Sequence, residues 1–441
     1  MNVAVRPRVR PALLALVLLA APFDLADAAG FEIYNQGARA MGFAGAYVAQ
    51  AYDPSAIYFN AAGVGLLKGK HIYLSAGFGD LTTDFTGEGP FPPAGTLERS
   101  DSGLGILPSI YYTHQVAERW VVGVGFYNQF GFVSKWDDPD AFTGRYICTD
   151  CRIRARNLNP TVAYKIADRL AIGAGVNLLF AKLDHQQRVL GVVEGDPDPE
   201  VTDPFPDPIE VAELTIEGAS DTSFGWNVGL LAAPSESFSI GLHYRSRVAA
   251  EYDGTADFNQ ILTGNDVVDT IVAANLPPRQ PVLVSHYYPA TLSGGIAVRG
   301  ENWTVEGDII FSFWSSFDTV MFSYPQGDGV GTTQLVQDYE DIWEGRLGVE
   351  YLLSETWAVR GGYAYDHSPQ PTPTLSPFLH DEDRHVFGVG GTYRYENLEL
   401  DLFGRYLLFR DRNTRGLSEY GYEGLYQSNS FQVGAAIGYR F

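Results

Sequence analysis

The sequence predicts an all-β protein: a transmembrane antiparallel β-barrel of about 14 strands with an N-terminal hatch, or plug, segment in its lumen. Three observations lead to this prediction. Apolar and polar residues alternate with a period of two, 48 glycines occur beside 26 tyrosines and 26 phenylalanines, and short connections alternate with long ones. Glycine and aromatic residues favour closely packed strands, and alternating connection lengths are typical of barrels that cross a membrane.

The composition argues against several other classes of protein. Apolar residues make up 45% of the 441 residues and charged residues 19%, which is unlike a disordered chain. The formal net charge of −23 argues against a nucleic-acid partner. Two cysteines are too few for a disulfide scaffold or a multi-cysteine metal protein, and no metal site or cofactor is predicted.

Residues 1–28 have the features of a secretory signal peptide. Three arginines lie within the first ten residues, an apolar run follows at 13–21, and Ala26-Asp27-Ala28 supplies small residues at the cleavage positions. The apolar run is too short to span a bilayer, so a membrane helix is the less favoured alternative. The chain is therefore expected to be exported, either as a soluble protein or as a closed barrel.

Residues 29–68 lack the alternation of a strand. They contain small residues between Gly37 and Ala46, followed by the sequence Tyr58-Phe59-Asn60-Ala61-Ala62-Gly63. A segment of this apolar content is poorly suited to free solvent. We therefore predict a hatch inside the lumen, with a periplasmic tail as the alternative, and a barrel over residues 69–441.

The barrel prediction rests on strand alternation and on the connections. From Phe431 to Phe441 every second residue is apolar and the residues between are small or polar. Roughly seven long and six short connections imply about 14 strands, with both chain ends on the short-turn side. Trp120, Trp303 and Trp357 each follow a short turn, where an aromatic girdle is expected. A soluble β-sandwich would not need this asymmetry.

Charges of both signs fall on the predicted inward face. We expect them to hold the hatch to the barrel wall rather than to bind a ligand. They are Glu306, Asp308, Glu344, Arg346, Arg360, Arg394, Asp401 and Arg405.

Cys148 and Cys151 form a C-x-x-C pair in a predicted long connection. Such a pair can be redox-active or form half of a metal site. A second C-x-x-C is missing from the sequence, and export exposes the pair to oxidation, so a local disulfide is favoured.

A catalytic centre is not predicted. The eight histidines are scattered, and the sequence contains no G-x-S-x-G motif. The segment 380–385 is dense in titratable groups but has no serine nucleophile near it. The chain is therefore expected not to be an enzyme.

The mature chain resembles the FadL-type family of outer-membrane transporters for long-chain fatty acids and other hydrophobic compounds. The resemblance rests on the order of several short stretches that together cover nearly the whole mature sequence. These stretches are residues 29–31, 40–45, 53–56, 60–63, 157–164, 314–317, 366–369, 383–384 and 438–441.

The resemblance implies a fourteen-stranded barrel closed by the hatch, with ligand captured at the extracellular side and released laterally beside a kinked strand. The kinked strand corresponds to residues 120–131, with Gly123, Gly125 and Asn128 as permissive positions. Ordinary close packing is the alternative explanation for these glycines. In the hatch, the family's Asn-Pro-Ala stretch reads Asn60-Ala61-Ala62 here, so the rigid proline is missing.

The resemblance also implies the residues that contact substrate. One basic residue of the family corresponds to Lys182, although simple alternation along its strand points Lys182 outward. The second falls on Met321, which cannot pair with a carboxylate. Phe126 and Tyr127 on the kinked strand complete the predicted substrate-binding set. These assignments leave both fatty acids and uncharged hydrocarbons open.

The sequence therefore predicts a channel in the outer membrane of a Gram-negative bacterium for passive uptake of hydrophobic molecules. Long-chain fatty acids are the favoured substrate, and hydrocarbons or aromatic compounds are the alternative. A polar-solute porin and an outer-membrane lipase are less favoured. The expected surroundings are outer-membrane lipids and lipopolysaccharide, and the default for a closed barrel is a monomer.

Overall fold

A computed structural model describes residues 31–50, 53–191, 209–325 and 331–441. The predicted signal peptide lies outside the described residues. Among the helices of the described segments, none is long and apolar enough to cross a membrane.

The described residues form strands joined into one sheet, with a few short helices. The strands are β1 (Lys70–Gly87), β2 (Leu97–Asp101), β3 (Gly105–Ala117), β4 (Trp120–Lys135), β5 (Asp150–Ala167), β6 (Leu170–Gly191), β7 (Ile209–Ser220), β8 (Ser223–Ser235), β9 (Phe238–Arg245), β10 (Val248–Gln260), β11 (Gln280–Tyr288), β12 (Thr291–Arg299), β13 (Trp303–Ser312), β14 (Thr319–Ser323), β15 (Thr333–Val336), β16 (Ile342–Leu352), β17 (Trp357–Asp366), β18 (Arg384–Tyr395), β19 (Leu398–Phe409), β20 (Arg412–Asn413) and β21 (Gly424–Arg440). The helices are α1 (Ala38–Gly42), α2 (Ala56–Phe59) and α3 (Asp266–Asn275), and 3-10 turns occur at Gly63–Leu66, Thr143–Tyr146, Trp314–Ser316 and Thr372–Thr374.

The sheet closes into an antiparallel barrel of 14 strands, which confirms the predicted fold. The circuit runs β1, β3, β4, β5, β6, β8, β9, β12, β13, β16, β17, β18, β19 and β21. β21 then pairs with β1 from His71 opposite Arg440 to Gly87 opposite Gly424. Closure of this kind leaves no unpaired edge at the first and last strands.

The period-two alternation determines which side chains face out. Along β6, Ile172, Val176 and Phe180 are exposed, whereas Asn177 and Leu179 between them are buried. Apolar side chains outside and small or polar ones inside are the arrangement expected of a barrel in lipid. Trp120, Trp303 and Trp357 are likewise exposed at the short-turn end, as predicted for an aromatic girdle.

Four adjacent strands of the wall are interrupted toward the long-loop end. The breaks lie at residues 221–222, 246–247, 289–290 and at the 3-10 turn Trp314–Ser316. Beyond them, β6, β7, β10, β11, β14 and β15 continue the wall as an extension of the barrel.

The core of the molecule lies inside the lumen. The hatch residues 31–50 and 53–63 are buried within the barrel, and β1 begins at Lys70, close to the predicted boundary. At the long-loop end, residues 367–383, here named the inward loop, also fold into the lumen. Leu375 and Phe378 of this loop are almost completely buried. The lumen is thus filled from both ends.

Candidate functional site

The largest apolar cluster lies between the hatch and the inward loop, around the ring of Phe31. The ring centroid of Phe31 lies 4.9 Å from those of Trp314 and Phe317 and 5.8 Å from that of Tyr288. We name this cluster the aromatic chamber. Its rings belong to Phe31, Phe130, Phe132, Tyr288, Trp314, Phe317, Tyr339 and Phe378.

The polar atoms beside these rings form a chain of uncharged groups. The hydroxyl of Tyr252 lies 2.7 Å from the hydroxyl of Tyr288 and 3.1 Å from Nε2 of His286. This chain pairs the three groups with one another without placing an ion pair among the rings. The aromatic chamber is therefore suited to apolar material.

Strand β4 separates from its neighbour β3 beside the aromatic chamber. Its pairing with β3 ends at Phe126 opposite Ile110, and its register with β5 shifts between Asn128 and Phe130. Residues 127–134 are then buried without alternation. The β3 residues 105–109 have no partner on β4, and we name this gap the β3–β4 seam.

The hatch takes the place of β3 along the displaced part of β4. The amide of Ile33 donates to the carbonyl of Gln129 at 2.8 Å, and the amide of Gly131 donates to the carbonyl of Phe31 at 2.9 Å. These bonds satisfy backbone groups that the β3–β4 seam would otherwise leave unpaired. The predicted kink region therefore contacts the start of the hatch.

The three permissive positions on β4 have different surroundings. A Cβ atom on Gly123 would lie 3.0 Å from Cδ1 of Ile57, and one on Gly125 would lie 2.9 Å from the ring of Tyr111. These glycines allow α2 of the hatch to approach the wall closely. Asn128 spans the β3–β4 seam, because its Nδ2 donates to the carbonyl of Pro108 at 3.2 Å.

The Asn60-Ala61-Ala62 stretch lies against β6 and β8. Nδ2 of Asn60 donates to the carbonyl of Leu230 at 3.1 Å, and a Cβ on Gly173 would lie 2.3 Å from the carbonyl oxygen of Ala61. These contacts hold the stretch to the wall on the side of β6 and β8. Ile57 of α2 lies against Gly123 and Gly125 of β4.

The predicted substrate-binding residues divide between the two faces of the wall. Lys182 is exposed on the outer face of β6, because the neighbouring Ala181 and Leu183 are buried inside. Met321 likewise lies between two buried neighbours and is itself only half-buried, as is Phe126. Tyr127 is completely buried. Of the four, the structure brings only Tyr127 to the filled lumen.

Arg245 at the end of β9 was not anticipated. It is 2% exposed, and its guanidinium donates to the hydroxyl of Tyr127 at 2.9 Å and to the carbonyl of Tyr58 at 2.8 Å. It thereby links β9, the displaced part of β4 and the hatch. Leu242 on the same strand is exposed, and a strand side chain three positions further along points to the opposite face. Period-two alternation along β9 could therefore have revealed that Arg245 points inward.

Ion pairs hold the hatch to the opposite wall. Arg39 of α1 lies 3.0 Å from Glu350 and 2.7 Å from Glu399. Arg360 pairs with the same Glu350 at 2.7 Å and with Asp401 at 3.3 Å. Shared carboxylates of this kind satisfy buried guanidinium groups. The predicted network between hatch and wall is confirmed.

Carboxylates on β13 bind the hatch backbone. Asp308 accepts the amides of Tyr47 at 2.7 Å and Val48 at 3.1 Å, and Glu306 accepts the amide of Ala49 at 2.6 Å. Charge-assisted bonds to backbone amides are stronger than neutral ones. The remaining predicted charges also have partners: Arg346 with Glu344, Arg394 with Glu399 and Arg405 with Gln432.

The inward loop carries two buried titratable groups. Burial lowers the pKa of His380 to about 4. Burial, together with the neighbouring Asp381, raises the pKa of Glu382 to about 8. The hydroxyl of Ser428 donates to Glu382 at 3.0 Å, and His380 lies 3.0 Å from the hydroxyl of Thr83. His380 and Glu382 are thus both neutral near pH 7.

Cys148 and Cys151 are joined by a disulfide and are completely buried. The bridge lies beside the aromatic chamber, with Sγ of Cys151 3.2 Å from Nδ1 of His185. Across the described parts of the chain, histidine, cysteine and acidic side chains do not form a group of three or more able to hold a metal ion.

A family model described as "Outer membrane protein transport protein (OMPP1/FadL/TodX)" matches residues 19–441 of this chain. The chain belongs to this family. Among the relatives of the FadL-type family, outer membrane protein P1 of Haemophilus influenzae is 25% identical over 319 residues, covering 68% of this chain and 65% of that protein. The chain thus spans about two thirds of the length of that relative. A long-chain fatty acid transport protein of Salmonella typhi is 22% identical, and the matched region covers 73% of this chain and 74% of that protein.

Solved structures of the FadL type share the fold. A FadL homologue of Pseudomonas aeruginosa superposes with a TM-score of 0.78 at 19% identity, covering 94% of this chain and 100% of the other. The toluene transporter TbuX of Ralstonia pickettii gives a TM-score of 0.66 at 17% identity, covering 93% and 100%. The chain is accordingly a barrel of the Gram-negative outer membrane. Its long-loop end faces the outside and its short turns face the periplasm.

Proposed function

We propose that this FadL-type barrel takes up long-chain fatty acids passively, and that they leave laterally through the β3–β4 seam. The observation that carries the proposal is the position of the aromatic chamber, which lies between the hatch and the inward loop and against the displaced part of β4. Lipopolysaccharide blocks hydrophobic solutes, and a water-filled pore does not favour them. An apolar interior contributes about 25 cal/mol per Å² of ligand surface removed from water.

The path follows from what fills the lumen. The inward loop covers the aromatic chamber from outside, with the ring of Phe378 5.3 Å from that of Phe132. Ligand captured at the extracellular side reaches the chamber by displacing this loop. The hatch, held by buried ion pairs, blocks passage toward the periplasm. At the β3–β4 seam the two neighbouring wall strands have no backbone hydrogen bonds to each other, and only the start of the hatch bonds to β4 there.

A second candidate substrate class is uncharged hydrocarbons or aromatic compounds. It is favoured by the aromatic lining of the chamber and by the outward position of Lys182, which places that ammonium group on the other side of the wall. Two of the structural neighbours are titled a toluene transporter and a monoaromatic hydrocarbon channel. Binding of labelled oleate and of toluene to the purified barrel in detergent distinguishes the two classes.

Ser109→Phe tests lateral exit. Ser109 lies on β3 within the β3–β4 seam and is 1% exposed. A phenyl ring there fills the β3–β4 seam, so we expect cellular uptake of oleate to fall about 10-fold or more while oleate binding to the purified barrel stays within about twofold.

Gly294→Phe is the matched control. A Cβ on Gly294 meets no atom within 4 Å, and this residue lies on fully paired β12. Uptake by this variant should equal that of the unmodified protein. Unchanged uptake by Ser109→Phe would remove the case for lateral exit, and failure of the unmodified barrel to bind either ligand would remove the transport proposal.

A further inference from the structure

The outer face of strands β5 and β6 carries a group of basic side chains. Arg154 lies directly opposite Lys182 in the antiparallel pair, and Arg156 lies opposite Phe180. The alternate residues of both strands are buried in the lumen, so these cations point outward. Lys182 is exposed and the two arginines are half-buried. We name Arg154, Arg156 and Lys182 the outer basic cluster.

Like charges are crowded within the outer basic cluster. Side chains directly opposite each other in an antiparallel pair have Cβ atoms about 5 Å apart, and like charges at such positions destabilise the pair. On these two strands Asp184 is the acidic side chain nearest to the cluster, and it pairs with Arg154. The chain as a whole has a formal net charge of −23, so the cluster does not reflect a general excess of basic residues. An anion bound from outside would offset the repulsion.

The outer basic cluster lies at the outer boundary of the lipid-facing band. Along β6 the outward residues from Ile172 to Phe180 are apolar, and this stretch of nine residues is the length that a tilted strand needs to cross the hydrocarbon core. Phe180, Phe224 and Trp226 are exposed at its long-loop end, where aromatic side chains meet the head groups. Lys182 is the next outward residue after Phe180. The cluster is therefore level with the head groups of the outer leaflet.

An open cavity of about 490 Å³ adjoins the cluster on the side of Lys182. Small residues give it room, and carboxylates at its rim can accept hydrogen bonds from hydroxyl groups. The lining includes Lys182, Gly218, Gly254, Asp184, Glu217 and Asp253. Because an acidic rim repels a bare phosphate, the cavity suits an uncharged ring with hydroxyl groups, whereas the arginines suit a phosphate. The two parts together fit a head group that contains both.

We propose that the outer basic cluster binds a phosphate group of lipopolysaccharide, with a sugar ring of the head group in the adjoining cavity and the acyl chains along the apolar band. A guanidinium presents parallel N–H donors that match phosphate oxygens. Basic side chains at a bilayer surface attract anionic head groups. This inference goes beyond the proposed function and holds whichever hydrophobic substrate the barrel takes up.

The test compares lipid A that carries its phosphates with the same lipid after removal of its phosphates. Each lipid is titrated into the complete, detergent-solubilised barrel, and native mass spectrometry measures the bound fraction. We expect the unmodified protein to bind the phosphorylated lipid about 10-fold or more tightly. The titrations contain EDTA, so a preference that depended on a bridging divalent cation would be absent and would count against direct contact.

The variant combines Arg156→Gln with Lys182→Gln and leaves the ion pair between Arg154 and Asp184 in place. Each cation near a bilayer surface is expected to contribute about fivefold to the binding of an anionic head group. The affinity for phosphorylated lipid A should therefore fall about 10-fold or more. The affinity for the dephosphorylated lipid should stay within about twofold.

The matched control combines Lys165→Gln with Arg169→Gln. These changes also remove two cations, but at the short-turn end of the same two strands, where Lys165 pairs with Asp168 and Arg169 pairs with Glu236. Both lipid affinities should stay within about twofold of those of the unmodified protein.

Three results would overturn the proposal. One is an unchanged affinity for phosphorylated lipid A in the variant that lacks Arg156 and Lys182. Another is equal affinity of the unmodified barrel for the two lipids, which decides the matter even if the variant does not fold. The third is binding of phosphatidylglycerol as tight as that of lipid A, which would indicate a surface for anionic lipids in general.

Discussion

Glu382 in the inward loop remains protonated at pH values at which a glutamate in the unfolded chain is ionised. Its pKa is raised from 4.5 to about 8, chiefly by burial and then by Asp381. Because the folded-state pKa lies above the unfolded value, the stability that this proton contributes is fully present below about pH 4.5 and is lost as the pH rises through about 8. The inward loop should therefore loosen on the alkaline side of neutrality.

Glu382→Gln should remove this pH dependence. We expect the unmodified inward loop to lose on the order of 1 kcal/mol of local stability per pH unit between pH 6.5 and 8, and the variant to lose much less. His380 adds only a small opposing slope near pH 6.5, because its folded-state pKa is lowered to about 4 while the side chain in the opened loop still titrates near 6.5, and this slope is the same in both proteins. Hydrogen exchange of residues 367–383 measures the effect, with the exposed Glu355→Gln as control. A variant that retains the slope would contradict the assignment.

The orientation of an individual site residue could be predicted from the sequence only by applying the period-two alternation of its strand strictly. Period-two alternation places the side chain of Lys182 on the outer face of the barrel, and the structure agrees. The family resemblance had instead implied that Lys182 contacts substrate. The same rule marks Arg245 as inward. What alternation cannot reveal is that Tyr58 and Tyr127 meet this arginine, because the hatch and two distant strands must first fold together.

Helix α1 is the hatch element most firmly attached to the wall. Arg39 on α1 contacts carboxylates from two strands, and its side chain is almost fully buried. Removing one partner of a buried ion pair typically costs about 3–5 kcal/mol, because the other charge stays behind without compensation. Loss of the Arg39 side chain should therefore release α1 from the wall.

Arg39→Met is expected to raise ion conductance in planar bilayers at least about threefold over the unmodified barrel, since Glu350 and Glu399 lose a partner and α1 detaches. Single-channel recording measures the change. Arg169→Met, at an exposed ion pair, should leave conductance unchanged. Equal conductance in Arg39→Met and in the unmodified barrel would show that other contacts retain the hatch.

Elements were predictable to different degrees. The strands follow from the period of their own residues, and the network of inward charges follows from the same period. The inward loop was expected to be a polar connection, yet Leu375 and Phe378 are buried in it. Their burial depends on partners such as Ser134 and Trp136, which both donate to the carbonyl of Pro377 from far away in the chain. Local sequence does not encode such contacts.

The whole molecule is self-contained as a barrel, because β21 pairs with β1 along the full length of both strands. A closed barrel has no edge strand whose unpaired backbone groups could pair with another chain. We therefore expect one chain per particle in mild detergent, measured by native mass spectrometry. A stable trimer would contradict this expectation and would indicate an interface on the lipid-facing surface.

Phe31 places a side chain of the protein where a ligand is expected to lie. Its ring is packed against Trp314, Phe317 and Tyr288, so an entering molecule meets a filled cluster of rings at this point of the lumen. Each arriving molecule must offer as much apolar contact as the ring it displaces. If the proposed uptake is correct, solutes that cannot match that contact are excluded by the packed ring itself, without a charge filter.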